Sequence, residues 1–349
     1  MRAAVYYGPN KLEVADVVEP EPGPGTVKLQ VGFNGICGTD LHEYYAGPIF
    51  VPTEPHPLTG RQLPLTMGHE FSGTIAAVGD GVTGWSEGDR VAVEPIYKCG
   101  HCGPCRAGNY NVCQQIGFHG LMSDGGMAEY TVVPTSMLHK LPENVSLELG
   151  ALVEPMSVAY HAATLGDVSP GDTAMVFGAG PIGIGLWFAL RGKGLDDVFV
   201  VEPSPTRRAA IEVLGARTLD PTSADVPAFI ADHTRGDGAD AVFDAAGVTP
   251  AVSTALACVG SRKPMISVAI YEKPLETPLL NLVMNESRIQ GSLCYTGADF
   301  EAVIALMGQG KYDTTGWVTR IPIDAVVDEG FEALHAGTKM KVLVDPNGA

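Results

Sequence analysis

Three stretches of this chain carry side chains whose types and spacing can do chemistry. The first is Gly68-His69-Glu70-Phe71-Ser72-Gly73. A neutral ring nitrogen of His69 can bind zinc, and Glu70 can take a coordination position or act on the ligands from behind. Gly68 and Gly73 allow close backbone approach. Alone, the run is a weak signal, since a His-Glu pair beside glycine is usually just a polar turn, so partners decide it. The second stretch, Cys37-Gly38-Thr39-Asp40-Leu41-His42, gathers a thiol, a hydroxyl, a carboxylate and an imidazole. Cys37 and His69 are therefore candidate zinc ligands by type. The third runs Cys99-Gly-His-Cys102-Gly-Pro-Cys105 and on to Cys113, a C-x2-C-x2-C-x7-C spacing. Four thiolates so spaced, with glycines between them, suit a closed tetrahedral zinc site, which has no open position and is structural. No second cysteine cluster supports an iron–sulfur centre, and His101 is surplus once four cysteines fill the shell.

A fourth motif binds rather than reacts. Gly178-Ala179-Gly180-Pro181-Ile182-Gly183 follows an apolar strand, Thr173 to Phe177, and opens a helix over Ile184 to Lys193. A second strand, Asp197 to Val201, ends at Glu202, 19 residues past Gly183. In that setting the glycines bring a pyrophosphate to a helix N-terminus, where free N–H groups favour negative charge. Glu202 would accept hydrogen bonds from a ribose 2′-hydroxyl and repel a 2′-phosphate, which favours NAD. Arg207 and Arg208 lie close enough in sequence to support NADP instead. The competing structural reading is a tight strand–helix turn with a capping acid.

These motifs need two kinds of scaffold. Before residue 154 the sequence is β-rich. Val27, Leu29, Val31 and Phe33 alternate as a half-buried strand, and Thr74 to Val78 and Arg90 to Val93 read as further strands. Gly47 to Pro64 is a proline-rich loop of the kind that shapes a pocket. From Asp172 strands and helices alternate: Ala239 to Phe243, a helix at Pro250 to Cys258, then Pro264 to Ala269 and Ile289 to Leu293. That alternation predicts an α/β, doubly wound parallel sheet. A helix at Phe300 to Met307 and a strand at Lys341 to Val344 close the chain. A catalytic zinc needs about three protein ligands and an open position. Glu154, in Val153-Glu154-Pro155, stands where the composition changes and is the candidate third ligand. A zinc there would face a bound nicotinamide, as hydride transfer requires.

Composition sets limits. A net charge of −18 over 349 residues leaves nothing to neutralise a nucleic-acid backbone. The most apolar stretch, residues 174–190, is interrupted by four glycines and a proline (Gly178, Gly180, Pro181, Gly183 and Gly185), so no membrane span is expected. The first residues show no basic stretch followed by an apolar run, so no signal peptide is expected, and cysteines crowded for metal fit a cytoplasmic protein.

Taken together, these motifs resemble the zinc-dependent medium-chain alcohol dehydrogenases over essentially the whole chain. Within that family the segments Leu41-His-Glu-Tyr44, Gly47-Pro-Ile-Phe50, Pro55-His-Pro-Leu-Thr-Gly60 and Cys99 to Cys113 are most similar to the (R,R)-butanediol dehydrogenases. The resemblance implies a GroES-like β-rich catalytic domain (residues 1–155) plus a doubly wound Rossmann NAD-binding domain (156–294), with 295–349 returning to the first. It implies Cys37, His69 and Glu154 on a catalytic zinc, the last directly or through water, and a second zinc on Cys99, Cys102, Cys105 and Cys113. It implies Asp40 orienting His69, Glu70 able to enter the shell, Thr39 on the substrate hydroxyl and His42 as proton acceptor. Gly178, Gly180, Pro181, Ile182, Gly183, Glu202 and Arg207 would bind NAD. One departure is Gly38, where many members carry a basic residue near the pyrophosphate. The implied activity interconverts (R,R)-2,3-butanediol and acetoin, with diacetyl as a further substrate, in a homodimer or homotetramer. Sorbitol or another polyol, or L-threonine, is the alternative substrate. A non-catalytic zinc- and nucleotide-binding protein is the alternative class, and it would need none of Thr39, His42 or Glu70.

Overall fold

A computed structural model describes residues 1–271, 273–277 and 279–348. The chain divides into two compact units. Unit 1 comprises Met1–Glu154, Thr296–Gly308 and Val318–Ala349, and unit 2 comprises Pro155–Tyr295 and Gln309–Trp317. Residues 309–317 thus group with unit 2, although the last segment was expected to return whole to the first domain.

Unit 1 is built from β1 (Arg2–Gly8), β2 (Lys11–Asp16), β3 (Thr26–Gly35), β4 (Leu65–Thr66), β5 (Glu70–Val78), β6 (Arg90–Val93), β7 (Ile96–Tyr97), β8 (Gly117–Phe118), β9 (Tyr130–Pro134) and β10 (Leu138–Lys140). Its C-terminal pair is numbered after unit 2. The central strand is β3, which pairs antiparallel with both β5 and β9. Val27, Leu29 and Val31 of β3 point into one cluster with Phe71, Ile75, Val91 and Val133, the alternation expected of a strand with one buried face. A second cluster gathers Tyr6, Ile36, Tyr44, Met67, Met127 and Phe331.

Unit 2 holds β11 (Thr173–Phe177), β12 (Asp197–Val201), β13 (Arg217–Leu219), β14 (Ala241–Asp244), β15 (Pro264–Ser267) and β16 (Arg288–Gly291), all parallel. Their order is β13-β12-β11-β14-β15-β16, the doubly wound order of a dinucleotide-binding fold. Every residue of β11 is buried, as a parallel strand covered on both faces must be. Chain order then continues in unit 1 with β17 (Val318–Pro322) and β18 (Lys341–Asp345), and β18 lies against Asn34 and Gly35 of β3.

Among the described residues no helix is long and apolar enough to cross a membrane.

Candidate active site and zinc centres

Cys37 stands at the N-cap of the helix Gly38–Ala46, which begins directly after β3. Asp40 closes that turn: its Oδ2 accepts the Cys37 backbone N–H at 2.9 Å. His69 is set by Gly68, whose φ is +105°. A Cβ at Gly68 would lie 2.4 Å from Asn34 Oδ1 and 2.7 Å from Met127, so only glycine admits this turn. His69 and Glu70 are buried, and the donor atoms of Cys37, His69 and Glu70 lie within 4.8 Å of one another.

His69 Nδ1 is 3.4 Å from Asp40 Oδ1, and neither buried atom has a well-formed hydrogen bond. Burial opposes a charge on the imidazole, but Asp40 and Cys37 outweigh it and push the His69 pKa well above its ordinary value. A thiol, an imidazole and a carboxylate in so negative a pocket fit a divalent cation. Glu154 is buried too, yet falls outside the set of donors within 4.8 Å, and Glu70 takes the third place. Thr39 and His42 are both half-buried, three residues apart on the helix and so on one face of it.

The sequence reading missed Lys341, taking it only as the start of a strand. Its Nζ donates to the Ile36 carbonyl at 3.0 Å and is ion-paired with Glu70. Burial would drive this lysine toward neutrality, but Glu70 and Cys37 raise its pKa instead. The available signal was a lysine opening the apolar run Val342-Leu343-Val344.

The loop from Gly47 to Pro64 does line a pocket, but one apart from these residues. Its start is tied to Glu43, whose carboxylate accepts N–H groups from Ile49 at 3.0 Å and Val51 at 3.2 Å. Farther along, Leu58, Thr59, Arg61 and Pro64 line a cavity of about 700 Å³ that none of Cys37, Thr39, His42, His69 or Glu70 lines.

The four remaining candidate ligands come together as a closed set: Cys99, Cys102, Cys105 and Cys113. The Sγ atoms of Cys99 and Cys105 are 4.0 Å apart, and those of Cys102 and Cys113 are 3.9 Å apart. A tetrahedron with Zn–S near 2.3 Å has edges of about 3.8 Å, so these thiols fit zinc. Backbone N–H groups of Cys99 and Cys102 donate to Cys113 Sγ and Cys99 Sγ, each at 3.3 Å, as they would to thiolates. Hydrogen bonds from Gln114 and Cys105 draw the Cys102 pKa down, while desolvation pushes Cys105 up. His101 turns aside, its Nδ1 2.9 Å from the Cys99 carbonyl.

In unit 2 a cavity of about 550 Å³ lies beyond the ends of β11, β12 and β14, lined by Gly178, Gly180, Glu202, Arg207, Ala245 and Ala246 among others. This is where the strand order reverses, the usual place for a nucleotide. Gly178 has φ +100°, and a Cβ on Gly183 would strike the Gly178 carbonyl at 1.9 Å. A Cβ on Gly180 would meet nothing within 4 Å, which leaves room for a ligand at the N-cap of the helix Pro181–Gly192. Pro181 and Ile182 form the first turn of that helix. Glu202 accepts Ala179 N–H at 2.8 Å and Ser204 N–H at 2.9 Å, and its carboxylate has acceptor capacity left for a ribose hydroxyl. Arg208 is engaged with Asp220 at 2.9 Å and with the Glu202 carbonyl at 2.7 Å.

The known proteins this chain matches agree with the geometry. Residues 23–143 match the model of the alcohol dehydrogenase GroES-like domain, and residues 181–309 that of the zinc-binding dehydrogenase. The chain is 42% identical to the (R,R)-butanediol dehydrogenase of Bacillus subtilis, over 99% of this chain and 100% of that one. It belongs to the zinc-dependent medium-chain alcohol dehydrogenases. It is accordingly an oxidoreductase with a GroES-like and a Rossmann domain. A probable diacetyl reductase, (R)-acetoin forming, from Saccharomyces cerevisiae is 36% identical over 90% of this chain and 81% of its own. The crystal structure of 2R,3R-butanediol dehydrogenase from Bacillus subtilis superposes with a TM-score of 0.93 at 41% identity, covering 99% of each chain.

Proposed function

We propose that this dehydrogenase interconverts (R,R)-2,3-butanediol and acetoin, and also reduces diacetyl, using NAD and two zinc ions per subunit. The full-length similarity to a butanediol dehydrogenase carries the substrate, and the Cys37, His69 and Glu70 cluster carries the chemistry. Zinc held there supplies a Lewis acid for the substrate oxygen, and the nicotinamide takes or returns the hydride.

The chain's own residues do the rest. Cys37 and His69 hold the metal with Glu154, directly or through water, and Asp40 fixes the ring of His69. The Thr39 hydroxyl accepts the alcohol proton, and His42 carries it toward solvent. Gly178, Gly180 and Gly183 receive the pyrophosphate at the start of the helix Pro181–Gly192, with Pro181 and Ile182 in its first turn and Arg207 at the cavity wall. Glu202 binds the ribose and disfavours a 2′-phosphate. Cys99, Cys102, Cys105 and Cys113 hold a structural zinc. In this reading residues 1–155 form the catalytic domain, 156–294 the cofactor domain, and 295–349 rejoin the first except at 309–317.

A homodimer or homotetramer is part of the proposal. β16 is a sheet edge, and Leu279, Leu280, Val283, Met284, Ile289 and Leu293 beside it in sequence are exposed, a surface suited to a second copy. Seven cysteines with no disulfide among the described residues fit the reducing cytoplasm.

The test is NADH formation with (R,R)-2,3-butanediol, sorbitol and L-threonine, and NADH consumption with acetoin and diacetyl. A kcat/KM for sorbitol or threonine about tenfold above that for the diol, roughly 1.4 kcal/mol of transition-state discrimination, would assign the chain to another branch of the family.

A further inference from the structure

The carboxylate of Glu70 has two competing partners. It lies within 4.8 Å of the donors of Cys37 and His69, and it is also ion-paired with Lys341. Glu70 is 1% exposed and Lys341 2%, so neither charge has water to stabilise it. A pair this deep persists only when each charge is matched and hydrogen-bonded. Lys341 meets that condition with Glu70 on one side and the Ile36 carbonyl, at 3.0 Å, on the other.

The backbone is shaped for the pair. Gly35 faces Glu70 across β3 and β5. A Cβ on Gly35 would come within 2.1 Å of Glu70 Oε2, so glycine leaves the space the carboxylate occupies. Lys341 opens β18, whose Leu343 and Val344 pair with Gly35 and Asn34. The ammonium and the space for its partner are therefore fixed on two strands that pair with each other.

A metal and an ammonium draw on the same carboxylate electrons. A catalytic zinc also needs one position free of protein, and a firmly bound Glu70 would fill it. We propose that Lys341 is a positioning residue for this metal centre: it holds the Glu70 carboxylate back and so keeps a coordination position open for substrate. This rests on reading Cys37 and His69 as metal ligands.

The experiment compares wild type, Lys341→Met, Lys341→Arg and Lys341→Met/Glu70→Gln as zinc holoenzymes and after exchange of the catalytic zinc for cobalt. In Lys341→Met the cobalt visible spectrum should shift, and loss of the metal to 1,10-phenanthroline should slow by about tenfold, the scale on which partners of metal ligands act. Adding Glu70→Gln should reverse both changes, and Lys341→Arg, which keeps the charge, should resemble wild type. An unchanged spectrum with unchanged or faster metal loss in Lys341→Met overturns the proposal. So does a double variant that keeps the shifted spectrum, because the shift then does not run through Glu70. If Lys341→Met does not fold, Lys341→Gln replaces it with the same outcomes. If wild type holds only the metal of the four cysteines, and Cys37→Ser changes nothing in metal content, the ligand reading fails first and the proposal falls with it.

Discussion

Glu202 Oε2 accepts the backbone N–H of Ala179 at 2.8 Å, so the acid after β12 and the glycine turn after β11 are held as one piece. A nucleotide seated on the turn therefore meets a carboxylate already fixed in place. Of the two arginines close by in sequence, Arg208 is tied to Asp220, while Arg207 stands at the cavity wall. NAD should be preferred over NADP by at least about tenfold in kcat/KM, or about 1.4 kcal/mol. Glu202→Ser should narrow that ratio by improving NADP as well as weakening NAD. Steady-state kinetics with both cofactors check it, and equal use of NADP by wild type rejects the role given to Glu202.

The two ligand sets should respond differently to loss of a donor. Cys102 belongs to a closed set of thiols, and zinc at such a site contributes to folding itself, on the order of 10 kcal/mol in small zinc peptides. Cys102→Ala should lower soluble yield and melting temperature. His69→Ala should abolish turnover and leave melting within a few degrees of wild type. Metal analysis should fall from two zinc ions per chain to one in either variant, and one zinc in fully active wild type contradicts the assignment.

What was legible in the sequence follows from where burial and chain direction coincide. β11, the glycine turn and β12 could be read because a strand covered on both faces must be continuously apolar, and the turn between needs its glycines in a fixed pattern. The helix Gly38–Ala46 could not. Its buried residues are Asp40, Glu43 and Tyr44, so it shows no apolar stripe. Two of the three are carboxylates that accept backbone N–H groups, from Cys37 to Asp40 and from Ile49 and Val51 to Glu43, and such pairings leave no periodic trace. Cys37 and His69 were recognisable by type. Lys341 was not, because it meets Glu70 from 271 residues away, through the pairing of β18 with β3. The exchange of residues 309–317 into unit 2 is likewise a matter of tertiary contact, which local pattern does not encode.

His119 should make the protein sensitive to acid. It is buried, with Nε2 2.9 Å from Thr131 Oγ1 and Nδ1 3.0 Å from the Tyr97 hydroxyl. Burial pushes its pKa down to about 3. In the unfolded chain a histidine titrates near 6.5, so the unfolded state binds the extra proton below that pH and the native state does not. The stability tied to the neutral ring is whole above about pH 6.5 and is lost as pH falls toward 3, at about 1.4 kcal/mol per unit. Between pH 7 and 5 the loss from this residue should be about 2 kcal/mol. His119→Gln should be less stable than wild type at pH 7 but lose less on acidification. Parallel urea titrations at the two pH values measure it, and identical losses in both proteins rule His119 out as the source.

Oxidising an alcohol releases a proton as well as a hydride, and the proton has to leave a buried site. Thr39 and His42 lie on one face of the helix that Cys37 caps, and both are half-buried, so the helix itself offers a path from the metal ligands outward. A hydroxyl can accept and donate at once, and imidazole is the side chain suited to passing protons on near neutral pH. His42→Ala should therefore slow diol oxidation most at low pH, where hydroxide is too scarce to replace the missing base. Imidazole buffer should restore part of the rate, which a merely structural defect would not allow. Thr39→Val should cost more than Thr39→Ser, which keeps the hydroxyl, with a difference of about 10²-fold or more expected for loss of a proton-transfer group. The pH profile of kcat is the decisive readout. If His42→Ala leaves it unchanged, the proton leaves by another route, and the pairing of Glu70 with Lys341 makes that carboxylate a poor substitute unless the lysine releases it.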